Sequence, residues 1–371
     1  MRGRLTNKIR LVKDIYMNNK ALVAMSGGVD SAAAALLIKN SGYNTAGITM
    51  KLWSEAETVT DTDSGISNSD INDAKKIADL LGIPHYVISL GDSFRRCVID
   101  KFISDYKSGA TPNPCVECNR YIKFGKLLDA AISMGYDRLA TGHYAIIEKT
   151  PSGRYIIKKA ADASKDQSYM LWSLSQDTLS RVLLPLGQYT KSQIRELAAE
   201  YCFENAHKSD SQDICFIPDK DYASFICKNS DSDLSSGNFV DINGNVLGKH
   251  SGIINYTVGQ RKGLGIALGR PMFVKSKDPV SNTVVLCDDR ELYSRTLTAS
   301  RINFIACDNM FTPTKLQAKI RYKHSPASAT VIQIDADRFT LEFDEPQRAI
   351  AAGQSLVLYD GERVIGGAII E

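Results

Sequence analysis

The chain has 371 residues, 43% hydrophobic and 23% charged, with a formal net charge of +3. That length exceeds what one hydrophobic core usually fills, so two or three domains are expected. No apolar run approaches the ~20 residues that span a bilayer, which argues against a membrane protein, and so small a charge does not by itself identify a polyanionic partner.

The basic opening MRGRLTNKIRLVKDIYMNNK lacks the apolar centre and cleavage site of a secretory signal and reads as an arm before the first strand. From Ala21 to about Cys215, short apolar runs alternate with helical patterns, as in βαβ units that build a parallel sheet. ALVAM predicts the first strand, AAAALLIKNSGY its helix and TAGITMKLW the second strand. The polar, aperiodic ETVTDTDSGISNSDIND reads as a surface loop before the helix AKKIADLLGI. HYVISL is a third strand, FRRCVIDKFISDY a long helix, and SGATPNPCVECN a loop whose prolines resist helix. Beyond it Tyr121, Phe124, Leu127, Leu128 and Ala131 fall at helical spacing, and DRLATGHYAII returns as a strand.

After about residue 220 the texture changes to short β-like runs, NFVDINGNVLG, INYTV, MFVKS and TVVLC, with Asn243-Gly244 as a hairpin turn. ATVIQIDADRFTLEF and SLVLYDGERVIGGAII read as a small β-barrel. The expectation is an α/β domain with a doubly wound parallel sheet (1–220), a β-rich connector (221–280) and a C-terminal β-barrel (281–371).

Between the first strand and its helix lies SGGVDS, Ser26 to Ser31. Its two glycines let backbone amides approach an anion at a helix N-terminus. It is neither a Walker loop nor a dinucleotide fingerprint. The hexapeptide resembles the pyrophosphate loop of the ATP-pyrophosphatases, which release pyrophosphate and transfer AMP. That resemblance implies that Asp30 manages magnesium and triphosphate while Ser26 and Ser31 bind phosphate oxygens. A helix cap is the simpler role for Asp30, and the two are compatible.

Eight scattered cysteines fit reduced thiols better than a disulfide scaffold. Cys115 and Cys118 in TPNPCVECNRYIKF, and Cys215 in SDSQDICFIP, stand in segments that read as loops. Cys118 precedes a predicted helix, whose positive end, with Arg120 and Lys123, should favour its thiolate. Cys97, Cys202, Cys227, Cys287 and Cys307 are read as packing residues.

Over nearly its whole length the chain resembles the tRNA-specific 2-thiouridylases. SGGVDS, TPNPxxxCN, ATGHYA, KDQSYML, QDICFIP, GxHxGxxxYTVGQRKGLGI and FDEPQRAIAAGQ all stand where that family has them. The resemblance implies an adenine nucleotide alpha hydrolase-like fold and the use of ATP and Mg2+. The wobble uridine of a tRNA anticodon loop would be adenylated at its C2 oxygen and given sulfur. It implies that Cys215 carries a persulfide and that Cys118 releases its terminal sulfur, leaving a disulfide between them. Ala24, Met25, Ser26, Gly27, Gly28, Val29, Asp30, Ser31, Met50 and Gly142 would contact ATP. Asn113, Pro114 and Cys115 would meet the target base. His143, Lys165, Asp166, Gln167, Arg321, Tyr322 and Gln354 would touch tRNA. The sulfur donor would be a cysteine desulfurase or relay protein, and the location cytoplasmic.

The family usually carries Asp where this chain has Cys115. The replacement leaves a second route open, in which Cys115, Cys118 and Cys215 hold an iron-sulfur cluster with one iron free to bind sulfide. A single CxxC lacks the ligands of a structural zinc. Tyr256 to Arg270 joins an aromatic, basic residues and glycines, which suits RNA backbone, and Arg321 to His324 mixes charge with a stacking ring. Two further readings share parts of this pattern. A small-metabolite ligase or amidating synthetase would use SGGVDS without the cysteines, and a non-catalytic RNA-binding protein would have no use for either.

Overall fold

The computed structural model describes residues 19–52, 68–203, 214–217, 219–230 and 235–371. Most of the basic arm, most of the polar loop from Glu57 to Asp73 and the start of SDSQDICFIP lie outside the described residues. The chain divides into two compact units, residues 1–97 with 117–218, and 98–116 with 219–371.

The first unit is built on five parallel strands: β1 (Lys20–Ala24), β2 (Asn44–Lys51), β3 (His85–Ser89), β4 (Arg138–Ala140) and, after the hairpin β5 (Ile146–Lys149) and β6 (Tyr155–Lys158), β7 (Val182–Leu183). Their order is β3-β2-β1-β4-β7, so the chain reverses direction across the sheet at β1 and β4. In such a sheet the crevice at the carboxyl ends of the two strands flanking the reversal is where a ligand sits. Helix α1 (Val29–Asn40) carries a run of four alanines and is buried on nearly every side, with Ala32, Ala33, Ala34 and Ala35 at 0% exposure. Small side chains all round let it pack closely against neighbours on several faces, including Ile194 and Ala198 of α2 (Lys191–Glu200).

DRLATGHYAII does not continue as one strand, because β4 ends at Ala140 and β5 starts only at Ile146. The predicted loop around Cys115 also differs. A helical turn, Pro114–Glu117, runs directly into the wider turns of Cys118–Lys126 and then Leu127–Ser133. Pro114 sits at the first helical position, where its missing N–H costs nothing and its fixed φ suits the helix.

In the second unit β8 (Gly237–Val240), β9 (Val246–His250), β10 (Phe273–Asp278) and β11 (Thr283–Cys287) form a sheet in the order β10-β11-β8-β9. Its core gathers Phe239, Tyr256, Val274, Val284 and Leu286. INYTV, expected as β-like, instead forms a single tight turn at Ile253–Asn255, since Tyr256 closes it against Phe239 and His250. Strands β12 (Tyr293–Phe304), β13 (Thr314–Lys319), β14 (Ala327–Gln333), β15 (Arg338–Arg348), β16 (Ser355–Asp360) and β17 (Arg363–Ile370) follow. β12 pairs with both β15 and β17, which closes the antiparallel sheet into a barrel. Its filling comes from alternate positions such as Phe339, Leu341 and Phe343.

Candidate active site

The turn from β1 to α1 is shaped by glycine and tied by two serines. Gly27 has φ +73°, and a Cβ there would come within 2.6 Å of the Asp70 carbonyl oxygen, so no other residue fits without displacing backbone. Ser31 Oγ accepts from the Ser26 amide at 3.1 Å and donates to the Gly28 carbonyl at 2.9 Å. Ser26 Oγ donates to the same Ser31 oxygen at 3.3 Å. Gly28, the residue before α1, provides no side-chain cap. The first turn of a twelve-residue helix therefore keeps its amides and its positive end for an anion.

The neighbouring strands close on that turn. A Cβ on Gly142, just past β4, would meet the Asp30 carbonyl carbon at 2.9 Å and the Ser31 nitrogen at 3.1 Å. Gly142 thus lies directly against the backbone of the loop. Met50 is buried near the end of β2, the strand beside β1. Ala24 to Ser31 and Gly142 are brought together at the carboxyl edge of the sheet, and Met50 is the last residue but one of a strand of that same edge.

Asp30 is held by two residues that motif reading missed. Its Oδ1 accepts from the Tyr144 hydroxyl at 2.7 Å, and its two carboxylate oxygens accept from Lys191 Nζ at 2.7 and 2.8 Å. Lys191 is the first residue of α2, whose start is fixed by a reciprocal capping box between Thr190 and Gln193. A lysine in a first turn opposes the helix dipole. That local conflict, inside a legible TxxQ cap, was the signal available in the sequence, although its partner lies 161 positions away.

Cys118 is buried, contrary to the loop expectation, whereas Cys215 and Cys115 are exposed. Because the helix starts at Pro114, its positive end lies a turn before Cys118. Of the two cations expected to favour its thiolate, Arg120 lies over the Tyr121 ring and Lys123 Nζ reaches His143 Nε2 at 3.5 Å. Cys215 sits in a turn closed by the Ile217 amide donating to the Ile214 carbonyl at 3.0 Å. Phe216, almost fully buried, packs edge-on against Phe94 at 5.6 Å and anchors that turn while the thiol faces outward. Cys202, expected as a packing residue, is instead exposed at a left-handed position with φ 54°. Among the described residues no three His, Cys, Asp or Glu side chains group as a metal site.

The residues expected to touch tRNA differ in how far they are already engaged. His143 is buried, with Nδ1 2.7 Å from Thr141 Oγ1. Because a lysine only donates, Nε2 accepts from Lys123 and the ring proton sits on Nδ1. Burial first, and Lys123 second, hold this imidazole well below the usual histidine range. Asp166 accepts from the Ala160 and Ser168 amides and the Ser168 hydroxyl, and Gln167 Oε1 accepts from the Tyr144 amide at 2.9 Å. Lys165 is half-buried beside them. In the second unit Arg321 donates to the Arg348 carbonyl at 3.2 Å, Tyr322 carries Lys319 over its ring, and Gln354 donates to the Thr111 carbonyl at 2.9 Å. Asn113, Pro114 and Cys115 form one turn, in which the Asn113 carbonyl accepts from the Val116 amide at 3.2 Å.

Comparison with known proteins decides between the readings that share a pyrophosphate loop. Residues 19–219 match the family described as tRNA methyl transferase HUP domain, 223–288 its PRC-barrel domain and 294–370 the aminomethyltransferase β-barrel domain. The chain is 48% identical over 358 residues to the tRNA-specific 2-thiouridylase MnmA of Clostridioides difficile, covering 96% of this chain and 99% of that one. It belongs to the tRNA-specific 2-thiouridylase family. The MnmA of Acetivibrio thermocellus is 48% identical over 95% of this chain and 99% of its own length, and a Clostridium botulinum MnmA is 49% identical over 96% and 100%. Within this 2-thiouridylase the Lys191 and Tyr144 grip on Asp30 belongs to the same sheet edge as the pyrophosphate loop. Among the described residues no helix is long and apolar enough to cross a membrane.

Proposed function

We propose that this chain is an ATP-dependent tRNA uridine 2-sulfurtransferase that converts the wobble uridine to 2-thiouridine in the cytoplasm. The carrying observation is one pyrophosphate loop, Ser26 to Ser31, and two separated thiols, Cys118 and Cys215, in a chain about half identical to 2-thiouridylases from end to end. The family descriptions speak of methyl transfer, but the full-length relatives are named as thiouridylases, and a thiol pair suits sulfur delivery.

The chemistry follows from the electrophile. A uracil C2 carbonyl is unreactive and its oxygen leaves poorly, so that oxygen first attacks the α-phosphorus of ATP and pyrophosphate departs. The loop amides and the first turn of α1 take the triphosphate charge, while Lys191 and Tyr144 fix Asp30 beside it. The carboxylate of Asp30, about one-third exposed, is the loop group suited to hold a Mg2+ ion, which would neutralise part of the triphosphate charge when bound. The terminal sulfur of a Cys215 persulfide then attacks C2, and AMP leaves. Cys118 thiolate attacks the inner Cys215 sulfur, which breaks the sulfur-sulfur bond, leaves sulfur on C2 and forms a Cys118 to Cys215 disulfide. A dithiol reductant must reopen it, and a cysteine desulfurase or relay protein reloads Cys215. Asn113 to Cys115 meet the base, which leaves the anticodon stack at a cost of a few kcal/mol.

Incubation with ATP, a persulfide donor and unmodified tRNA, followed by nucleoside analysis and pyrophosphate assay, tests the reading. Cys215→Ser should abolish 2-thiouridine while leaving tRNA binding nearly intact, because a hydroxyl cannot carry transferable sulfur. Normal thiolation by that variant refutes the carrier role. Pyrophosphate release with metabolite pools but not with tRNA would favour a small-molecule ligase instead.

A further inference from the structure

Gln354 was expected to touch tRNA, yet its half-buried side chain bonds within the protein through its amide nitrogen. Its amide nitrogen donates to the Thr111 carbonyl at 2.9 Å and reaches the Pro112 carbonyl at 3.5 Å. The Thr111 amide donates in turn to the Ala352 carbonyl at 2.8 Å. Between these two contacts stands Gly353, with φ +85°, where a Cβ would come within 2.8 Å of the Ala110 Cβ and 3.0 Å of the Thr111 nitrogen. On the other side Lys277 Nζ lies 3.5 Å from the Ala110 carbonyl while stacked 5.6 Å over the Tyr106 ring.

The residues that hold this strap are themselves anchored. The Gly353 amide donates to the Ile370 carbonyl, and the Ile370 amide to the Gln354 carbonyl, both at 2.9 Å, so the turn is stitched to the last barrel strand. The Thr111 hydroxyl, by contrast, is buried without a hydrogen-bond partner among the described residues, a cost the segment tolerates to keep this path. Directly after Pro112 comes Asn113, whose carbonyl opens the helical turn carrying Cys115. Displacing two carbonyls of the strap therefore displaces the start of that turn.

We propose that Gln354 is a positioning residue of the barrel, which fixes residues 110–112 and through them the orientation of Asn113 to Cys115 toward the target base. The inference rests on the reading that this turn meets the base. Its logic is that of near-attack alignment: small misplacements of a group that orients the reacting atom cost rate and leave overall substrate affinity, spread over many backbone contacts, almost untouched.

Gln354→Glu is the decisive variant, since it keeps the shape but replaces the N–H donor with a carboxylate that repels both carbonyls. Gly353→Ala attacks the same strap from the other side. Each should lower kcat for thiolation about 10-fold or more, leave the Kd for tRNA within about 2-fold, and speed hydrogen exchange at Thr111 while barrel amides stay protected. Weaker tRNA binding with normal kcat and normal Thr111 exchange would make Gln354 an RNA contact and overturn the proposal. Should the wild-type protein fail to thiolate tRNA, the functional reading falls. The exchange measurement still decides whether Gln354 fixes the strap.

Discussion

Lys191 Nζ bridges both carboxylate oxygens of Asp30 at 2.7 and 2.8 Å, joining the first turn of one helix to the first turn of another. The pair places a carboxylate at the positive end of α1, where it is favoured, and a lysine at the positive end of α2, where it is not. The second placement is tolerated because the lysine is buried against its counter-charge, with the Tyr144 hydroxyl satisfying a further lone pair.

Lys191→Met should therefore lower stability by about 2 kcal/mol. The usual loss on breaking a buried pair is discounted because the Asp30 side chain remains 31% exposed. It should also raise the KM for ATP about 10-fold, since the freed carboxylate faces incoming phosphate. Tyr144→Phe should do less, about 1.5 kcal/mol, the worth of one hydrogen bond to a charged group. Urea unfolding and pyrophosphate release as a function of ATP concentration measure both effects. Wild-type values for the methionine variant would show that the bridge does nothing for the loop.

Gly142 poses a steric test of the nucleotide site. Alanine there would drive a methyl to within 2.9 Å of the Asp30 carbonyl carbon and 3.1 Å of the Ser31 nitrogen, both backbone atoms that cannot rotate away. The loop must shift by several tenths of an ångström, and ATP affinity should fall roughly 10²-fold with tRNA binding retained. ATP titration followed by tRNA titration of the same Gly142→Ala sample separates the two. Unchanged ATP affinity would remove Gly142 from the nucleotide site.

The parallel sheet and the barrel were legible because their strands are continuous apolar runs or clean alternations bounded by Gly, Asn and Asp, as at ALVA and RFTLEF. The pyrophosphate loop was legible because its chemistry is contiguous in sequence. Local reading failed where tertiary contacts overrode local rules. INYTV has strand-like composition, but its tyrosine is drawn into the core against Phe239. The two prolines of TPNPC suggested a loop, yet the second one starts a helix and carries Cys118 into the interior. Lys191 and Gln354 act on residues 161 and 243 positions away, and no window of sequence contains both members of either pair.

The glycine-rich segment from Tyr256 to Arg270 offers a charge-based prediction. Arg261, Leu264, Ile266, Arg270 and Met272 line a cavity of about 300 Å³, and Arg261 and the next residue, Lys262, are exposed. Each exposed cation that meets a phosphate releases a counter-ion, so the double reversal Arg261→Glu with Lys262→Glu should weaken tRNA binding about 10-fold at moderate salt. It should also flatten the dependence of binding on salt by about one unit of slope for each phosphate no longer neutralised. Filter binding across a salt series reads both. An unchanged slope would mean that these cations face water and not RNA.

His143 gives a pH dependence whose sign is fixed by its burial. Its folded pKa is held well below the ordinary value of 6.5, chiefly by loss of solvent and secondarily by Lys123. The folded protein therefore stays neutral at this site while the unfolded chain takes up a proton as pH drops through about 6.5. Its contribution to stability is complete above that pH and is lost on further acidification, at up to about 1.4 kcal/mol per pH unit, until the folded pKa is reached. His85, His250 and His324 are shifted in the same direction, so the wild-type slope is a sum, and His143→Gln should remove one proton's share of it. Unfolding free energies of the two proteins between pH 5 and 7 provide the check, and an identical slope in wild type and variant would show that His143 takes up its proton equally in the folded and unfolded states.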